Sequence, residues 1–334
     1  MKRLVAIAAF ALTLFAPLAV FAQTVKLGTL APEGSVWYNV LRQMGEEWKR
    51  ASGGRVELRI YPGGVAGDDA DMVRKMRIGQ LQAAAVTGHG LETIDADASV
   101  FQTPMLLRSD DELDYLRGQL SGELARALEA KGFKVLYWSE VGWVYLFSNK
   151  PVSRPSELKP LDIWVWSGDA AWADALKDSG YKPVALPATE ITTALSSGLI
   201  DAFATTPVAA LSYQWFGLAK NMMDMKWAPL TAAVVVSKKT WDQIPDELKP
   251  ALQAAAVRAG DAAKAEIRRM EADAVTAMQG YGLKVNPVAP AVAAEWRTEI
   301  ERTYPKLLGK SVPRDIYERA SALLDAYRKS RGGE

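Results

Sequence analysis

The chain has 334 residues, 49% of them hydrophobic and 24% charged, with a formal net charge of +1 and no cysteine. The length predicts two domains. The balanced charge argues against a nucleic-acid or polyanionic partner, and the lack of cysteine excludes disulfides, thiolate zinc sites and a lipidated amino terminus. The 11 Trp and 11 Tyr residues stand out. Indole gives a large contact area with few rotatable bonds, so the excess suggests a ligand surface as well as core.

The amino terminus reads as a signal peptide over residues 1–22. Lys2 and Arg3 precede an apolar run over 4–20 that is interrupted by Pro17. Val20-Phe21-Ala22 then sets small residues for cleavage ahead of Gln23. As a membrane anchor the run is at the short edge of the roughly 20 residues that a spanning helix needs.

Helical and strand periods then alternate, which predicts an α/β fold. A strand over 24–29 leads to a helix N-capped by Ser35. Its apolar stripe is Val36, Trp37, Val40, Leu41, Met44 and Trp48. Val56, Leu58 and Ile60 alternate with charged residues as in a strand with one polar face. A helix over 68–79 has an acidic start and a basic end, as the helix dipole favours. A small-residue strand over 82–87 then runs into the loop Gly88-His89-Gly90.

Strands follow at 133–139, 143–148, 162–165, 200–204 and 232–237, with helices at 170–179 and 188–197. The stretch from Pro245 to about Gln279 predicts one helix of ~45 Å, long enough to cross two domains. A short strand at 283–285 and helices near 291–304 and 314–331 close the chain. With no repeat or flexible linker, the domains are expected to be joined by crossing strands. The division expected is lobe I at 23–141 plus about 231–270, lobe II at 142–230 plus about 271–305, and a C-terminal helical segment at 306–334.

Enzyme chemistry is poorly represented. His89 is the only histidine, which excludes a two-histidine metal site and leaves any Ser-His-Asp triad dependent on it. There is no G-x-S-x-G elbow, P-loop or G-x-G-x-x-G. Ser156 and Lys159 match S-x-x-K without its companion motifs. Asp68-Asp69 and Asp110-Asp111 read as helix caps. No cofactor, metal or catalytic residue is expected.

Several segments in order carry a resemblance: 26–32, Gly53-Gly54-Arg55-Val56 through Tyr61-Pro62-Gly63-Gly64, 151–163, Glu190 through Gly198-Leu199-Ile200-Asp201-Ala202, and Trp241 through Pro245-Asp246-Glu247-Leu248. Over nearly its whole mature length the chain resembles the DctP-type solute-binding proteins of TRAP (tripartite ATP-independent periplasmic) transporters. The resemblance implies a two-lobed periplasmic binding protein-like fold with hinge strands and a helix spanning both lobes. It also implies export to the periplasm, hinge closure on a small molecule, and delivery to membrane permease subunits. A ligand-sensing role beside a signalling partner is the alternative, and an enzyme on the same scaffold is a more remote one. Monomer and dimer both stay open.

The departures from the family pattern are informative. The resemblance implies an arginine at the position of Trp164 that clamps a ligand carboxylate, and a second arginine shortly after Gly142, where this chain has Trp143-Val144-Tyr145. An indole has one donor and no charge, so it cannot replace a guanidinium. The ligand is therefore expected to be neutral, apolar or aromatic rather than a simple carboxylate; a cation in an aromatic cage is the next choice.

The ligand-binding candidates are Trp164, Trp166, Glu33, Trp37, His89, Val144, Trp143, Tyr145, Phe203, Thr206 and Trp215, with Trp172 and Trp227 beside them. Trp164 and Trp166 share one strand face by period two. Trp143 and Tyr145 share the face opposite Val144, so both sets cannot line the cleft. Trp48, Trp241 and Trp296 read as core.

Overall fold

The computed structural model describes residues 22–332, so the expected signal peptide falls almost wholly outside the described residues. Two sheets organise the chain. The first contains β1 (Gln23–Thr29), β2 (Val56–Tyr61), β3 (Ala83–Thr87), β4 (Phe133–Trp143) and β10 (Pro229–Ser237), in the order β2-β1-β3-β10-β4. The second contains β5 (Tyr145–Ser148), β6 (Asp162–Trp166), β7 (Lys182–Leu186), β8 (Ala202–Thr205), β9 (Asn221–Asp224) and β11 (Lys284–Pro287), in the order β11-β9-β5-β8-β6-β7. β1 runs parallel to both β2 and β3, whereas β10 is antiparallel to β3 and β4.

The chain passes from one sheet to the other three times before its C-terminal helix returns to the first half. Val144, between β4 and β5, makes the first crossing, and residues 225–228 make the return. These two segments are paired: the Val144 N–H donates to the Ala228 carbonyl at 2.9 Å, and the Trp227 N–H donates to the Val144 carbonyl at 3.0 Å. Gly142 just before the crossing has φ 121°, a backbone region that a Cβ disfavours. Crossing strands thus join the two halves.

The third crossing is the helix Lys249–Gly280, 32 residues long, which corresponds to ~48 Å at 1.5 Å per residue. Leu252, Ala255 and Ala256 pack into the core of the first sheet with Trp48 and Val234. Met278, at the other end, packs with Phe147, Phe203 and Trp215 of the second. Alanine on its buried face lets backbones approach closely; Gly260 lies where a Cβ would come within 2.7 Å of the Tyr137 ring.

The amphipathic helices form where their stripes predict. Val36–Ala51 starts at Ser35, whose hydroxyl accepts from the Tyr38 N–H, and buries Val40, Leu41, Met44 and Trp48. Asp69–Arg77 is capped by Asp68. The expected loop at Gly88–Gly90 is instead the first turn of a short helix, Gly88–Glu92, capped by Thr87. Of the helix expected at 188–197, the first turn is a 3-10 helix, Ala188–Glu190. The 21-residue helix Asp110–Ala130 packs its leucines against Ile316, Ala320 and Leu324 of the helix Arg314–Ser330, so the C-terminal segment returns to the first half. Among the described residues no helix is long and apolar enough to cross a membrane.

Candidate functional site

The two halves meet across a cleft, and the contacts between them converge on the end of β6. Trp166 reaches over from the second sheet, and its indole N–H donates to Asp68 Oδ2 at 3.0 Å. The same carboxylate oxygen accepts from the Ala188 N–H at 3.0 Å. The His89 ring stacks on Trp166 with centroids 4.2 Å apart and planes 29° apart. The Tyr213 hydroxyl donates to the Leu30 carbonyl. Asp68, His89 and Leu30 belong to the first half; Trp166, Ala188 and Tyr213 belong to the second.

Two cavities occupy the cleft and share Trp166 and Leu230. The first, about 110 Å³, is walled on one side by Thr29, Leu30, Trp37, Val40, Tyr137 and Ser139, and on the other by Trp166, Thr205, Tyr213 and Trp215. Its described lining contains no charged side chain. The second, about 160 Å³, is lined by His89, Glu92, Val144, Trp164, Trp166, Asp169, Trp172 and Trp227, among others. No lysine or arginine among the described residues lines either cavity.

The candidates distribute unevenly over this cleft. Trp37 and Trp215 line the first cavity, His89, Val144 and Trp164 the second, and Trp166 both. Trp164 and Trp166 share a face as the strand period requires, but their rings are tilted by 58° at 4.8 Å rather than stacked. The Trp164 indole N–H is spent on the Leu186 carbonyl at 3.0 Å. Val144 faces the second cavity, and Trp143 and Tyr145 line neither. Trp143 is buried between helices, its indole N–H donating to Asp110 Oδ1 at 2.9 Å. Phe203 is enclosed between Phe147 and Trp215, with centroids 5.5 Å from each. Thr206 is fully buried, and its hydroxyl caps the helix Pro207–Ser212 by accepting from the Ala209 N–H, while its neighbour Thr205 reaches the first cavity. Glu33 is exposed and lines neither cavity. Trp48, Trp241 and Trp296 are buried in the core.

Sequence reasoning missed Asp68 and Asp69 as site residues, because a helix cap explains both. Asp68 does cap its helix, yet it also holds the second lobe. Asp69 is fully buried beneath Thr87 and accepts from the Thr87 N–H and hydroxyl. Burial pushes its carboxyl up to about 7, against the pull of the Thr87 hydrogen bond. For His89, burial opposes protonation, but Glu92, Asp169 and Asp69 outweigh it and hold its pKa above the ordinary 6.5. Tyr137 and Tyr213 escaped notice because neither lies on a motif. Burial raises the pKa of both phenols, keeping them as neutral donors.

A two-lobed α/β molecule whose halves meet across a cleft that holds two cavities is a binding-protein architecture. Residues 27–310 match the family model of bacterial extracellular solute-binding protein, family 7, the DctP family, and the chain belongs to that family. Among curated relatives, the sialic acid-binding periplasmic protein of Vibrio cholerae is 24% identical over 79% of this chain and 83% of its own. The C4-dicarboxylate-binding periplasmic protein of Rhodobacter capsulatus is 22% identical over 70% and 71%. Among solved structures, a TRAP periplasmic solute-binding protein from Ralstonia eutropha with bound (S)-2-acetolactate superposes with TM-score 0.84 at 21% identity, covering 91% of this chain and 99% of that one. One from Sulfurospirillum deleyianum with bound succinate gives TM-score 0.83 at 20% identity, covering 90% and 98%.

Proposed function

We propose that the protein is the periplasmic receptor of a TRAP-type secondary transporter, without catalytic activity, and that its main ligand is a neutral, apolar or aromatic molecule held in the first cavity. The observation that carries the ligand reading is the absence of lysine and arginine from the described lining of both cavities. A buried carboxylate needs a paired cation or several donors to offset its desolvation. Trp164, where the resemblance places one arginine, faces the second cavity, as does Val144 in the segment after Gly142 where it places the other, and neither brings charge or a free donor. Trp37, Trp166, Tyr213 and Trp215 instead offer apolar area and ring faces.

The assignment to transport rests on the family. Sensing for a signalling partner uses the same capture step, and reconstitution with the cognate membrane subunits distinguishes them: transport predicts ligand uptake that depends on added receptor. The ligand reading is tested by thermal-shift titration with succinate against uncharged aromatic compounds. Succinate is expected to leave the melting temperature unchanged, and a stabilising shift with succinate would overturn the reading.

A further inference from the structure

The second cavity differs in chemistry from the first. Four indoles, Trp164, Trp166, Trp172 and Trp227, line it together with the carboxylates of Glu92 and Asp169. Indole faces attract cations through their ring quadrupole, and the half-buried carboxylates add direct attraction. The hydrogen bonds that Asp169 accepts, from the Trp172 N–H at 3.0 Å and the Ser311 hydroxyl at 2.7 Å, both fall on Oδ1. Glu92 Oε1 faces His89 Nδ1 at 3.4 Å, a loose contact. The raised pKa of His89 has Glu92 and Asp169 among its causes, so the field in this cavity favours positive charge. The Trp227 ring packs edge-on against Trp296, centroids 5.1 Å apart, which fixes one side of the cage.

We propose that the second cavity is a separate site for a small organic cation, a quaternary ammonium or protonated alkylamine. The aromatic rings supply the cage and Glu92 with Asp169 the countercharge. Trp166 forms a wall common to this site and the first cavity, so the cation and the apolar ligand can occupy the cleft together.

The test is calorimetric titration of the ligand-free full mature chain with choline chloride, and with 3,3-dimethyl-1-butanol, its uncharged carbon analogue of the same shape. Choline is expected to bind at least tenfold more tightly than the analogue. Glu92→Gln, which removes the charge and keeps the shape, is expected to weaken choline at least tenfold, as is Trp172→Leu, which removes a ring face. Melting temperatures report whether each variant is folded. No choline binding at millimolar concentration, equal binding of the analogue, or unchanged choline affinity in both folded variants overturns the proposal. Occupancy of the first cavity, read by mass spectrometry on the same samples, reports on the main ligand separately.

Discussion

Trp166 and Asp68 meet across the cleft, indole N–H to carboxylate, at 3.0 Å. A contact made only when both lobes are together biases the equilibrium toward closure, and a ligand gains affinity from any contact that favours the closed state. Trp166→Phe keeps a ring for His89 and loses the donor. Hydrogen bonds to charged groups are worth about 1.5–3 kcal/mol, so ligand affinity is expected to fall about tenfold or more. Small-angle scattering is expected to show a more open molecule. Asp68→Asn keeps an acceptor for Trp166 and Ala188 but turns its amide toward the Asp69 N–H that the other oxygen caps, and is expected to weaken ligand binding less than Trp166→Phe does. Equal behaviour of the two variants would remove the latch.

The spanning helix is tied to the hinge strand by charge. Arg268 donates to Glu140 at 2.6 Å and to Asp114 at 2.9 Å, while Glu140 lies buried with Arg117 as its other partner. Breaking a buried pair leaves an uncompensated charge. Arg268→Met is expected to cost about 3 kcal/mol, measured by denaturant unfolding. A cost near zero would mean that Arg117 alone satisfies Glu140.

The contribution of Asp69 to stability is expected to fall as pH rises from about 4 to about 7. Asp69 has an ordinary pKa of 3.8 and is pushed up to about 7 when folded. The folded state therefore binds more protons in that window, and unfolding becomes easier as they leave. At 1.36 kcal/mol per pH unit the change reaches at most ~4 kcal/mol. His89 adds to the same trend: its raised pKa gives stability present below 6.5 and lost as pH climbs through the folded value. Melting temperatures at pH 5 and pH 8 check this, and Asp69→Asn is expected to flatten the slope. An unchanged slope in that variant would assign the trend to other groups.

Installing an arginine at position 164 is not expected to recreate a carboxylate receptor. Trp164 is 6% exposed and packs with Phe203, Ile191 and Trp215. Loss of a large buried ring costs about 3–5 kcal/mol, and Glu92 and Asp169 share the cavity with the new guanidinium. Trp164→Arg is expected to lower stability by a few kcal/mol and to leave succinate unbound by calorimetry. Succinate binding in this variant would mean that a single arginine suffices as a clamp.

The fold was legible where one face of an element meets the core. The stripe from Val36 to Trp48, the alternation at Val56, Leu58 and Ile60, and the long helix ending near Met278 all follow from burial periodicity. Of the helix Asp110–Ala130 only the acidic start is marked in the sequence reading, although its leucines at 113, 116, 120, 124 and 128 carry the helical period. In the cleft, residues on a strand with a defined period were readable: Trp164 and Trp166 share a face, and Val144 excludes its neighbours. Phe203 and Trp143 were not, because an aromatic side chain suits a core as well as a pocket. Asp68 was hidden by its cap, since the second partner of a cap lies 98 residues away at Trp166.

Native mass spectrometry of the mature protein, purified gently from the periplasm and then denatured to release what it carries, tests the central claim most directly. The expected result is an adduct that dissociates on unfolding and proves to be a neutral, apolar or aromatic molecule without a carboxylate. A released dicarboxylate, sugar acid or other carboxylic acid would contradict it, since no lysine or arginine among the described residues lines either cavity.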